Sequence, residues 1–197
     1  SAGRLMRAAR GPGVLFAVVG PSGVGKDSVI GFARHALAGE PRVLFVRRVI
    51  SRPAHEASED HEPVTATAFA RRAASGEFAV TWQAHGLSYG LPMAALSHVE
   101  AGGIAVANAS RKALDVVFER FPRVQVVEIV AAPQVIADRL AARGRESDGQ
   151  IAARLERSVP AYRGAEQAVM IDNSGPLERA GKALVALANA QLAAGHC

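Results

Sequence analysis

Apolar residues fall in short runs that alternate with stretches spaced for one face of a helix. Val14 to Val19 is apolar throughout and ends at Gly20, the pattern of a parallel strand buried on both faces. Ser28 to Leu37 carries helical spacing and stops near Gly39 and Pro41. Val43 to Ile50 predicts the next strand, which Pro53 closes, and the polar stretch Ala54 to Glu62 predicts a loop. Thr65 is placed to cap a helix running through Phe69 to Ala74 and closed by Gly76. Phe78 to Ala84 and Leu87 to Tyr89 flank His85-Gly86, which predicts a hairpin. Pro92 opens a helix to Glu100, stopped by Gly102-Gly103. Strands are then predicted at Ile104 to Ala107, Val124 to Val130 and Val169 to Asp172. Helices are predicted at Lys112 to Phe121, Pro133 to Ala142, Gln150 to Val159 and Leu177 to Ala194.

This alternation predicts an α/β fold, a parallel sheet flanked by helices on both faces. The segment from about residue 52 to 92 breaks the rhythm and reads as a small acceptor-binding insert. The whole chain, 1–197, is then one domain, with its core at about 14–51 and 103–194.

Composition agrees with a soluble globular chain: 49% hydrophobic and 21% charged residues. No apolar run reaches the ~18 residues a membrane span needs. Ser1 to Gly13, small and basic, reads as a frayed leader, and no secretory signal is evident there. The single cysteine, Cys197, allows no internal disulfide, so a cytoplasmic location is expected. The net charge of +5 rests on arginine, since Lys26, Lys112 and Lys182 are the only lysines. Arginine suits a bidentate grip on phosphate. With only 5% aromatic residues, stacking platforms for nucleic acid are scarce, and no nucleic-acid partner is expected.

Candidate chemistry begins at Gly20-Pro21-Ser22-Gly23-Val24-Gly25-Lys26, which follows a strand and precedes a helix. That is the context of a P-loop. Its glycines let backbone N–H groups turn inward on phosphate oxygens, the helix N-terminus adds a positive dipole end, and Lys26 adds a mobile charge. ATP is therefore the expected ligand, with Ser28 at the loop's end. The residue after the lysine is Asp27, where a Ser or Thr normally contacts Mg²⁺. A carboxylate is a hard ligand for that ion. Asp27 equally suits a helix cap or a counter-charge to the dipole, and both readings stand.

The chain resembles the guanylate kinase family from about Val14 to Ala188. Ser51-Arg52-Pro53 is similar to that family's acceptor-phosphate motif, and Asp60-His61 stands where it has Asp-Tyr. Gly76-Glu77-Phe78 and Tyr89-Gly90 match in register. The resemblance implies a lid bearing Arg139, Arg143 and Arg154, and an adenine-side strand end at Asp172-Asn173. Arg139 and Arg143 stand four apart, on one helix face, and the lid itself falls at about 143–150. The purine partners are missing: Val80, Ser88 and Leu91 replace polar groups, and Asn108 and Ser110 replace acidic ones. A site without those hydrogen-bond partners loses guanine discrimination by orders of magnitude.

More specifically, Gly25 to Ser28, Ser51 to Pro53, Glu59-Asp60-His61, Trp82 to Gly86 and Ser88-Tyr89-Gly90 resemble the ribose 1,5-bisphosphate phosphokinases of phosphonate utilisation. That resemblance implies transfer of the ATP γ-phosphoryl group to ribose 1,5-bisphosphate, giving 5-phosphoribosyl 1-diphosphate. Lys26, Arg143 and Arg154 are then the catalytic candidates, with Arg139 and Asn173 on the ATP side. Arg52 is expected on the acceptor phosphate, with His61, Tyr89 and, by strand spacing, Arg48. Gln83 and His85 are candidates for ribose hydroxyls. Asn108, Ser110, Arg111 and Lys112 border a second anionic end. A dimer is expected. The alternatives are a guanylate or other nucleoside monophosphate kinase, and an inactive guanylate-kinase-like binding module. Retention of Lys26, Arg143 and Arg154 speaks against the module.

Overall fold

The computed structural model describes residues 13–52, 60–142 and 161–194. Its larger sheet is all parallel and has five strands. Their order is β2 (Val43–Phe45), β7 (Ile104–Asn108), β1 (Val14–Val19), β8 (Val124–Val130) and β9 (Val169–Asp172). Every residue of β1 is buried, which is why its sequence shows no alternation. Phe16 and Val18 pack against α1 (Lys26–Ala36), α5 (Pro133–Ala142) and α6 (Leu177–Ala194) through Val29, Ile136 and Leu184. Leu15, Ala17 and Val19 point the other way, toward α3 (Met93–Glu100) and α4 (Leu114–Arg120). β1 has β7 on one side and β8 on the other, so the winding of the sheet reverses beside it. In such sheets the crevice for a ligand opens outside the carboxyl ends of the strands at that reversal.

A second, four-stranded sheet runs β4 (His61–Pro63), β3 (Arg48–Ile50), β6 (Leu87–Pro92) and β5 (Phe78–Ala84). β3 and β4 are parallel and the other pairs antiparallel. His85 and Gly86 make the β5–β6 turn with φ of 52° and 73°, the left-handed pair that a two-residue hairpin of this twist requires. Thr65 caps α2 (Ala66–Ala74) by accepting from the Ala68 N–H at 3.1 Å. Phe69 of that helix stacks on Phe78 with ring centroids 4.8 Å apart. Arg72 spans Glu62 (2.6 Å) and Glu77 (2.8 Å). The two sheets share one apolar cluster, in which Leu15 and Ala105 of the larger meet Ile50, Val80, Tyr89 and Leu91 of the smaller.

Three sequence expectations change here. The run Val43 to Ile50 is two strands in different sheets, divided at Val46-Arg47. Val46 still packs against the core the sheets share, and Arg47 and Arg48 follow it at the crossing. The polar stretch before Glu62 ends in β4 rather than in a loop, with His61 and Glu62 in register with Arg48 and Val49. The helix expected from Lys112 begins with a 3₁₀ turn, Arg111–Ala113, where the Ser110 hydroxyl accepts from the Lys112 N–H, and becomes α-helical only at Leu114. The helix expected at Gln150 to Val159 and the lid at 143–150 lie outside the described residues. Among the described residues, no helix is long and apolar enough to cross a membrane.

Candidate active site

A cleft of about 780 Å³ opens at the carboxyl ends of β1 and β7, between the two sheets. The P-loop contributes Gly20, Ser22, Gly23, Gly25, Lys26, Asp27 and Ser28. Gly25 has φ 93°, and a Cβ there would lie 2.6 Å from the Asn173 Nδ2, so the loop closes on Asn173 only with glycine at this place. The Asn173 amide donates to the Val24 carbonyl at 2.8 Å. Arg139 donates to the same carbonyl at 3.1 Å and to the Asn173 carbonyl at 2.9 Å. Arg139 and Asn173 thus brace the loop, and neither lines the cleft. Pro21 and Val24 also stay out of the lining and contribute carbonyls. The Lys26 ammonium donates to the carbonyls of Gly20 (2.9 Å) and Pro21 (3.1 Å), folding back over the loop.

Asp27, in the first turn of α1, accepts from the Asn108 amide at 2.7 Å. Asn108 ends β7 and is buried, and its Oδ1 has no hydrogen-bond partner among the described residues. A buried carbonyl oxygen without a donor costs free energy. That oxygen and the Asp27 carboxylate are both hard donors of the kind a divalent cation takes.

The second sheet supplies the opposite wall. Arg48 is 7% exposed, and its guanidinium stands 5.7 Å from the Tyr89 ring centroid. Tyr89 stacks on Trp82 at 5.4 Å and 9°. Arg52 and His85 also line the cleft, with Ala84. Trp82 is at once part of the apolar cluster and part of the cleft. Strand alternation then turns Gln83 to the other face of β5, where it is exposed and outside the cleft. His61 is 2% exposed within β4 and does not line the cleft, so it is neither a surface histidine nor a wall residue. Its neighbour Asp60 is paired with Arg34 of α1 and, at 3.2 Å, with Arg47. The Arg34 pair links the start of the small sheet's β4 to the P-loop helix.

Ser110, Arg111 and Lys112 form the third wall with Tyr162 and Arg163. Two groups here escape sequence reasoning. Glu128 pairs with Arg111 at 2.5 Å and accepts a hydrogen bond from the Tyr162 hydroxyl. Burial and that hydrogen bond push the Tyr162 hydroxyl up to about 12. The one signal available in sequence was a lone glutamate near the end of an apolar strand run. The proposed catalytic arginines Arg143 and Arg154 lie outside the described residues.

No family model matches the sequence. A ribose 1,5-bisphosphate phosphokinase of Agrobacterium fabrum is 46% identical over 171 residues, covering 87% of this chain and 93% of that protein. The chain belongs to the ribose 1,5-bisphosphate phosphokinase family. A second member, from Brucella melitensis, is 45% identical over 180 residues and is covered to 94% of its length. Among solved structures, guanylate kinase from Anaplasma phagocytophilum superposes with a TM-score of 0.59 at 18% identity, over 92% of this chain and 87% of that one. This chain accordingly has a guanylate-kinase-like P-loop fold.

Proposed function

We propose that the protein transfers the γ-phosphoryl group of ATP to the 1-phosphate of ribose 1,5-bisphosphate, giving 5-phosphoribosyl 1-diphosphate and ADP. One observation carries this beyond the names of the relatives. A P-loop and an arginine-bearing wall open on one cleft, while Val80 and Leu91 are packed into the core as register partners. The P-loop calls for a nucleotide triphosphate, and the arginines for an anionic acceptor without a purine to read.

The acceptor oxygen belongs to a phosphate already ionised near neutral pH, so no general base is needed. That oxygen bonds to Pγ while the bond from Pγ to the β,γ-bridging oxygen breaks, and ADP leaves with the electron pair. Catalysis then lies in alignment and charge neutralisation. Lys26 would swing from the Gly20 and Pro21 carbonyls onto the β and γ phosphates. Arg48 and Arg52, beside Tyr89, would hold the reacting phosphate, and His85 the ribose hydroxyls. Arg111 and Lys112, with Ser110, would take the 5-phosphate. Arg143 and Arg154 would close over the migrating group. Asp27 and Asn108 would hold Mg²⁺. When bound, that ion neutralises charge on the β and γ phosphates. A cytoplasmic dimer with no nucleic-acid partner completes the reading.

The test is ADP release from ATP-Mg with ribose 1,5-bisphosphate or GMP as acceptor, in parallel. Turnover with the sugar bisphosphate and loss of it in Lys26→Ala are expected. Turnover with GMP alone would return the protein to the nucleoside monophosphate kinases.

A further inference from the structure

Glu128 is an acidic side chain on a strand otherwise made of Val, Ile and Gln. Val124 and Val126, on the same face of β8, pack with Val19, Leu114 and Tyr162. Glu128 comes next along that face and is the register partner of Val19, the last residue before the P-loop. Its side chain is only 13% exposed. A carboxylate in such a place is costly unless both oxygens are engaged. Both are: one faces Arg111 Nη2 at 2.5 Å and the other takes the Tyr162 hydroxyl. The Arg111 guanidinium also lies over the Tyr162 ring, 5.5 Å from its centroid. It is therefore gripped by a carboxylate and by an aromatic face at once.

Arg111 lines the cleft and Glu128 does not. The carboxylate engages one terminal nitrogen of a group with five N–H donors, so donors remain for an anion in the cleft. A fork held in advance loses less rotamer freedom when an anion arrives. Arg48 lies in β3 of the small sheet and Arg52 just after it, whereas Arg111 follows β7 of the large one. Cations on separate walls of one cleft suit a ligand charged at both ends.

We propose that Glu128, with Tyr162, is a positioning residue that fixes Arg111 as the anchor of the acceptor's unreactive phosphate, and so selects acceptors carrying two phosphates. This rests on the reading of the cleft as a sugar bisphosphate site. The test compares kcat/KM for ribose 1,5-bisphosphate and ribose 1-phosphate in the wild type, Glu128→Gln, Arg111→Ala and the double variant. Glu128→Gln is expected to lower the bisphosphate value roughly tenfold through KM, as loss of a charge-assisted contact does. The values for ribose 1-phosphate and the KM for ATP should stay within about twofold. In the Arg111→Ala background, Glu128→Gln should add nothing, because it acts only through Arg111. Equal losses with both acceptors, or a full further loss in the double variant, overturn the proposal. Should Glu128→Gln fail to fold, Tyr162→Phe decides: a bisphosphate preference roughly threefold weaker supports the proposal and an unmoved one overturns it. No turnover of either sugar phosphate by the wild type overturns the functional reading, and this inference with it. Turnover with an unmoved ratio overturns the inference alone.

Discussion

Val80 and Leu91 face each other across β5 and β6, 6% and 0% exposed. Where a purine site would need polar groups, this chain has a cross-strand apolar pair packed against Leu96 and Val99. Val80→Glu restores one polar partner and buries a carboxylate with none of its own. The expected outcome is no GMP kinase activity and a loss of about 3 kcal/mol of stability. In a chain of this size that lowers the melting temperature by roughly 10 °C. Thermal unfolding together with ADP release on GMP checks both halves. Strong GMP turnover would show that the acceptor wall has been misread.

Beside the P-loop, Asp27 accepts from the Asn108 amide, and the Asn108 Oδ1 has no partner among the described residues. Asp27→Ala is expected to move the Mg²⁺ titration of ADP release to roughly tenfold higher concentration. An unmoved titration with a lowered melting temperature would assign Asp27 to the α1 dipole instead.

Asn173 holds the Val24 carbonyl from behind the loop, and Arg139 holds them both. Asn173→Ala should therefore raise the KM for ATP and GTP alike, by roughly fivefold to tenfold, and leave the acceptor KM alone. If Asn173 contacted the adenine instead, ATP would suffer and GTP would not.

Tyr162 bears on stability at high pH. Its hydroxyl ionises near 12 in the folded chain, against 10 ordinarily, because burial and the Glu128 carboxylate disfavour the phenolate. The folded state therefore keeps a proton that the unfolded state gives up. The contribution is whole below pH 10 and is lost as pH rises toward 12. Unfolding midpoints measured across that window should fall more steeply for the wild type than for Tyr162→Phe, and parallel curves would refute the assignment.

Much of this could be read from the residues, for identifiable reasons. Glycine and proline mark the ends of elements, and β1 followed by Gly20 to Lys26 is a local pattern, so the strand, loop and helix follow from adjacent residues. The Thr65 cap and the His85-Gly86 turn are local in the same way. What sequence did not disclose depends on distant partners. Val43 to Ile50 looks like one strand because apolarity does not say which sheet receives it. Gln83 and Trp82 differ in role only through the side of β5 they take. Asp60 stands in a polar stretch that says nothing of Arg34, far back on α1, with which it pairs. Glu128 acquires meaning only from Arg111 and Tyr162, which no spacing rule connects to it.

Trp82 is the chain's single tryptophan, and it stands in the small-sheet wall of the cleft, stacked on the ring beside Arg48. The P-loop, facing it, carries no aromatic residue. The molecule therefore contains its own optical probe of one binding step. Indole emission should respond when the sugar phosphate arrives and stay nearly silent when the nucleotide does, so the order in which the two substrates enter can be followed without a label.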